Sequence, residues 1–241
     1  MARSAGVIFD GDDTLWETMP AYNLAKRRFF EEMELLGFKK QQVELHFEKT
    51  DIENVKRLGF SRKRFSSSMI ETYHYFCRRY QVAIRKAIEN RINGIGEGVV
   101  SSRPRVHGRA HAVLSQLRMH YRLILATKGE AEVQNMRIKE STLGPYFDRI
   151  YIFDLKTKRE LNLIVEENDL PRKESWAVGN SLRSDIHPAL EVGLKAIWIP
   201  QYTWDYEEAP FEHSGDLFTV DSLEDCLQLL IPSRGSLLVN A

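Results

Sequence analysis

The apolar run Gly6-Val7-Ile8-Phe9 stops at Asp10, the pattern of a short buried strand. Gly11-Asp12-Asp13-Thr14 then reads as a polar loop. From Met19 to about Asn90 the period becomes helical. Leu24, Phe29, Phe30, Met33 and Leu36 recur at helix spacing, with Gly37 as the stop. Met69, Tyr73, Phe76 and Tyr80 make a second stripe, expected to pack a core. No strand-like alternation interrupts the region. Asn93-Gly94-Ile95-Gly96-Glu97-Gly98 breaks the period and is expected to be a hinge or linker.

Beyond it strands and helices alternate. Val106–His120 reads as a helix with Ala110, Val113, Leu114 and Leu117 inward, followed by the strand Leu123–Ala126. Glu130–Ser141 is a helix stopped by Gly144-Pro145, Arg149–Phe153 a strand, and Lys158–Glu167 a helix. Trp176–Val178 is a strand, Asp185–Glu191 a helix and Lys195–Ile199 a strand. Leu217–Val220 is a candidate last strand, with Ser222 capping the closing helix. This alternation implies an α/β fold with a parallel sheet covered on both faces. The helical stretch 16–100 is then an insertion that divides a core of residues 1–15 and 101–241. In open sheets of this kind ligands bind beyond the carboxyl ends of the strands.

Composition adds exclusions. The chain has 241 residues, is 43% hydrophobic and carries no formal net charge, which excludes a disordered or polybasic chain. Residues 16–100 are net basic and the remainder net acidic, a division compatible with an anionic substrate or with solvated helix faces. Cys77 and Cys226 stand alone without metal-ligand spacing, so zinc is not expected, and free thiols suit a cytoplasmic location. The start lacks a signal-peptide run, and no apolar stretch is long enough to span a bilayer. Neither nucleic acid nor membrane is expected as a partner; oligomeric state is left open.

Four predicted strand ends carry suggestive side chains: Asp10-Gly11-Asp12-Asp13-Thr14, Thr127-Lys128-Gly129, Asp154-Leu155-Lys156-Thr157-Lys158, and Gly179-Asn180-Ser181 with Ser184-Asp185. Each alone is weak, since Asp-rich loops are often turns. Together and in this order they resemble the haloacid dehalogenase (HAD) superfamily over nearly the whole chain. Phe9-Asp10-Gly11-Asp12-Asp13-Thr14-Leu15 is similar to that family's DxDxT motif, and Thr127 to its second-motif Thr/Ser. Lys156 or Lys158 matches the third-motif lysine, Lys156 lying nearer the strand end. Gly179–Asp185 resembles the GDxxxxD motif with Asn180 in place of its first Asp.

The resemblance implies a Rossmann-like core, an inserted α-helical cap over 16–100 and an active site between them. It implies phosphoryl transfer through an aspartyl-phosphate on Asp10, with Asp12 as general acid and base. Mg2+ would be held by Asp10, the Asp12 main-chain carbonyl and the fourth motif, where Asn180 and Asp185 both remain candidates. Thr127 and Lys156 would bind the phosphoryl group, with Lys128 and Asn180 as further substrate contacts. Dehalogenating members generally lack an acid at the position of Asp12, so Asp12 favours phosphate esters over haloacids. The expected function is a Mg2+-dependent phosphatase for a small phosphorylated metabolite. Its rivals are a phosphomutase, a haloacid dehalogenase and a non-catalytic binding protein of the same fold. In the cap, Arg57, Arg62, Lys63, Arg64 and the Gly59-Phe60-Ser61 turn are candidate specificity elements, as are Trp16 and Glu17 beside it. His74 and His107 are isolated.

Overall fold

All four residues of β1 (Gly6–Phe9) are buried, and the chain leaves this strand straight into a tight loop. The computed structural model describes residues 4–202, 204–210 and 215–231. It divides into two compact units, Met1–Glu17 with Pro104–Ala241, and Thr18–Arg103.

The two-residue strand β2 (Trp16–Glu17) follows the loop. The unit Thr18–Arg103 is helical: α1 (Met19–Leu35), α2 (Lys40–Leu58), α3 (Arg64–Arg79) and α4 (Lys86–Val100). Pro20 in the first turn starts α1, where its missing N–H costs nothing. Phe29, Phe30, Met33, Phe47, Phe65, Met69 and Phe76 fill the centre of this unit. Two members of the expected stripes do not face inward: Leu24 is 37% and Tyr80 48% exposed. Leu24 lies beside the buried Ala25, and Tyr80 lies just past the end of α3, where its ring stacks on Phe76 with one side open. Arg64 is buried and paired with Asp51, and Arg57 with Glu71, so those expected specificity cations have internal acidic partners. Arg62 and Lys63 are exposed. His74 Nε2 lies 2.5 Å from Glu89.

The expected linker 93–98 is instead the middle of α4. Ile88, Ile92, Gly96 and Val99 form its buried stripe, so Gly96 is a core position that happens to lack a side chain. A Cβ there would lie 2.6 Å from Cα of Ser66 in α3, whereas Gly94 and Gly98 face open space. Gly96 thus lets two helix backbones approach.

In the other unit, β3 (Arg105–Val106) pairs antiparallel with β2, drawing Val106 out of the expected helix. The helix α5 accordingly spans only Ala110–Leu117. Then come β4 (Arg122–Lys128), α6 (Ala131–Ser141), β5 (Arg149–Phe153), α7 (Lys158–Glu167) and β6 (Trp176–Gly179). A π-helical turn at Leu182–Ile186 precedes α8 (His187–Glu191), dividing what the sequence pattern reads as one helix from Asp185. β7 (Lys195–Trp198), β8 (Leu217–Thr219) and α9 (Cys226–Leu230) complete the described chain. Ser222 does not cap α9; Asp225 occupies that position, and Ser222 Oγ donates to its carboxylate at 2.7 Å.

The six strands lie in the order β5-β4-β1-β6-β7-β8, and every pairing is parallel. Alternate residues serve opposite faces. Val7, Phe9, Leu123, Leu125 and Val178 pack on α5 and α9, while Ile8, Ile124, Ala126 and Ala177 pack on α7 and α8. With β1 central, its carboxyl end is flanked by those of β4 and β6. No described helix is long and apolar enough to cross a membrane.

The α4 geometry sets opposite signs on neighbouring substitutions. Gly96→Ala should lower stability by about 1–3 kcal/mol through overpacking, despite the helix-propensity gain. Gly94→Ala and Gly98→Ala should each raise it, by up to ~1 kcal/mol. Chemical denaturation of the three variants checks this; equal effects at all three glycines would contradict the close approach.

Candidate active site

The loop after β1 is wound tightly enough to return on itself. The Gly11 carbonyl accepts from Leu15 N at 2.9 Å, and Asp13 N donates to the Trp16 carbonyl at 2.6 Å. Asp13 turns the chain with φ of +61°. Gly11 leaves room for the Trp16 ring, which a Cβ would meet at 2.5 Å. Asp10 is anchored by its own N–H to the Val178 carbonyl at 2.9 Å, and its side chain is buried.

Lys156 arrives from the loop after β5. Its buried ammonium donates to Asp10 Oδ1, to Asp185 Oδ1 at 2.5 Å and to the Ala126 carbonyl at 3.0 Å. The competing Lys158 is exposed on the first turn of α7. A capping box decides between them. Thr157 Oγ1 accepts from Arg159 N at 3.2 Å, and Glu160 accepts from Thr157 N at 3.0 Å. The helix therefore starts just after Lys156.

Asp185 is seated by the π-helical turn. Its Oδ2 accepts from Ser181 N at 3.0 Å, while Ser181 Oγ accepts from Ser184 N at 2.9 Å. A Cβ on Gly179 would overlap the Asp185 carboxylate, so glycine is required at that strand end. Asn180 Nδ2 donates to the Gln201 carbonyl at 3.3 Å. Asp185, rather than Asn180, reaches Lys156.

Thr127, on β4, is 1% exposed, and its Oγ1 is buried with no hydrogen-bond partner among the described residues. It lies 3.3 Å from where a Gly11 Cβ would be, beside the Asp10 loop. A buried orphan hydroxyl is costly unless something else binds it. Lys128 is tied back, donating to Glu207 at 2.5 Å and to Ser184 Oγ at 2.7 Å.

Asp12 is held firmly. Oδ1 accepts from Trp16 Nε1 at 2.6 Å; Oδ2 accepts from Gln134 Nε2 at 2.9 Å and Arg137 Nη1 at 2.5 Å. Beside the site, Gln134, Arg137 and Glu207 are buried polar groups that the sequence reading missed. Gln134 and Arg137 did leave a signal. They occupy the inward arc of α6 with Val133 and Ile138, where an amphipathic pattern would place apolar residues. Glu207 sits in an irregular segment with no period to betray it.

Burial, the largest influence, pushes the Asp10 carboxyl up to about 7; Asp185 and Asp12 push the same way, and Lys156 pulls it back. For Lys156 burial opposes the charge, but Asp10 and Asp185 together hold it above its ordinary value. Burial would likewise raise Glu207, yet Lys128, Ser181 and Ser184 keep it below the usual carboxylate range. Around Asp10, then, anions outnumber cations.

The donors near Asp10 are hard oxygens, which suit Mg2+ rather than a softer metal. No cluster of three or more His, Cys, Asp or Glu side chains stands ready for a metal among the described residues.

The chain belongs to the haloacid dehalogenase-like hydrolase family, whose sequence model matches residues 7–199. It is similar to a glyceraldehyde 3-phosphate phosphatase of Pyrococcus abyssi, 25% identical over 95% of either chain. A haloacid dehalogenase-like hydrolase structure from Xanthomonas campestris superposes with a TM-score of 0.78 at 28% identity, covering 94% of this chain and 92% of that one. The YfnB HAD-hydrolase of Bacillus subtilis, solved bound to magnesium, matches in fold with a TM-score of 0.64 at 20% identity, over 95% of this chain and 99% of its own. The family bears out the expected fold class and an enzymatic, hydrolytic role.

The raised Asp10 carboxyl has a signed consequence for the metal-free protein. Between its ordinary 3.8 and about 7, the folded state retains a proton that the unfolded chain has released. The contribution to stability is complete below 3.8 and disappears as pH rises through about 7. Asp10→Asn abolishes that loss. In EDTA, the melting temperature of the variant relative to wild type should climb across this window and level off above it. A difference independent of pH would refute the assignment.

Proposed function

We propose that the chain is a Mg2+-dependent phosphatase acting on a small phosphorylated metabolite, with residues 1–15 and 101–241 as its catalytic core and 16–100 as a cap. The observation that carries this reading is the buried Lys156 ammonium joining Asp10 to Asp185 at the carboxyl ends of the central strands. The kinship with a protein named as a glyceraldehyde 3-phosphate phosphatase supports a small phosphate ester as the substrate class.

On this reading an Asp10 carboxylate oxygen attacks phosphorus as the bond to the leaving oxygen breaks. Asp12 delivers the proton that the leaving oxygen takes. A water molecule then attacks phosphorus and gives a proton to Asp12, while the Asp10–phosphorus bond breaks. The sum is ester plus water to alcohol plus inorganic phosphate. Thr127 Oγ1 would donate to a phosphoryl oxygen, ending its isolation, and Lys156 would offset charge on the phosphoryl group. Bound through Asp10, the Asp12 main-chain carbonyl and Asp185, Mg2+ would supply the positive charge that lets a carboxylate meet a phosphate dianion. Asn180 engages only its Nδ2, with the Gln201 carbonyl, so its Oδ1 remains a candidate ligand, whereas Lys128 is a poorer phosphate contact than Lys156 because it is paired with Glu207.

Hydrolysis of 4-nitrophenyl phosphate tests the reading. Activity should need Mg2+, vanish in EDTA, and fall on the order of a thousandfold or more in Asp10→Asn. Stoichiometric release of inorganic phosphate separates a phosphatase from a mutase. Undiminished turnover by Asp10→Asn would defeat the nucleophile.

A further inference from the structure

Asp12 sits in a better-defined seat than a loop carboxylate requires. A carboxylate offers about four lone-pair directions. Here three are filled by N–H donors: one on Oδ1 from Trp16, two on Oδ2 from Gln134 and Arg137. Oδ2 is saturated; Oδ1 retains one direction. Arg137 is 4% and Gln134 2% exposed, and they stand three residues apart on the inward arc of α6. Gln134 Nε2 also donates to the Lys128 carbonyl at 3.0 Å. One amide thus ties Asp12 to the main chain directly after Thr127. Burying a guanidinium is costly unless an anion meets it, and Asp12 is an ion-pair partner here.

We infer that Arg137, supported by Gln134, is a positioning residue that locks Asp12 Oδ2 and so leaves Oδ1 as the oxygen that exchanges the proton. The inference rests on the reading of Asp12 as general acid and base, and extends it to residues outside the sequence motifs. In the first step the Oδ1 proton passes to the leaving oxygen as its bond to phosphorus breaks. In the second, Oδ1 takes the proton of the attacking water. With Oδ2 released, the carboxyl turns about its Cβ–Cγ bond, and the proton is no longer aimed. The loss then falls on substrates whose leaving oxygen needs a proton, and spares those whose leaving group departs as a stable anion.

The experiment compares phenyl phosphate, a poor leaving group, with 4-nitrophenyl phosphate, a good one, in wild type, Asp12→Asn, Arg137→Met, Arg137→Lys and Gln134→Met. Asp12→Asn should lose far more activity on phenyl phosphate. Arg137→Met should show the same selectivity, with kcat reduced about tenfold or more further on phenyl phosphate than on 4-nitrophenyl phosphate. Arg137→Lys, which restores a charged donor, should recover part of it. Equal losses on both substrates in Arg137→Met, with Asp12→Asn still selective, would overturn the positioning role and leave Asp12 in place. Absence of selectivity in Asp12→Asn would remove the general acid itself, and this inference with it. Should Arg137→Met fail to fold, Gln134→Met decides in the same terms: a selective loss supports the lock, an even one overturns it.

Discussion

A lysine ammonium wedged between two buried carboxylates governs this unit. Taking three charges out of water costs several kcal/mol per ion, and mutual attraction returns it only when geometry is good and the remaining donors are satisfied. Lys156 meets both conditions, with Asp10, Asp185 and the Ala126 carbonyl each accepting from it. The consequence falls on Asp10. Burial displaces the Asp10 carboxyl upward, Asp185 adds to the displacement, and the one cation shared between the two anions does not cancel it. On the proposed reading, the same shortage of positive charge that weakens Asp10 as an anion favours a divalent cation beside it.

The sheet makes the wedge geometrically available. Parallel order places β1 between β4 and β6, so residues from three separate stretches converge at one edge without a long loop. The edge is then trimmed by glycines that act through absence. Gly179 leaves the volume that the Asp185 carboxylate fills, and Gly11 leaves the volume under the Trp16 ring. Trp16, thereby placed, gives Asp12 a donor at 2.6 Å. Close backbone approach is thus converted into side-chain aim.

The strands were legible because burial on both faces produces continuous apolar runs, and the residues ending those runs are the ones that assemble. The choice between Lys156 and Lys158 stayed open in the sequence reading, although Thr157 and Glu160 stand at capping-box spacing and start α7 just after Lys156. What stayed hidden depends on partners far away in the chain. Gly96 reads as flexible until Ser66 is placed against it. Val106 reads as helical until Trp16 pairs with it. Arg137 finds Asp12 across a separation of 125 residues, and no periodicity encodes that meeting. Polar residues on an inward helix arc are the one trace such contacts leave.

On the proposed reading, the charges at this edge bear on Asn180. In the ion pairs at this edge four carboxylates, Asp10, Asp12, Asp185 and Glu207, meet three cations, Lys156, Arg137 and Lys128, so with all of them ionised these pairs carry one negative charge in excess. On the proposed reading, a divalent cation reverses that excess, and an incoming phosphate dianion then restores a modest negative balance. An aspartate at position 180 would add a further anion to a pocket whose burial already disfavours ionised Asp10. Glu207 meanwhile holds Ser181 at 2.5 Å and Ser184 at 2.7 Å, bracing from outside the loop that presents Asp185. The loop is therefore held in shape by a carboxylate that Lys128 already neutralises, so position 180 need not be charged for Asp185 to be presented.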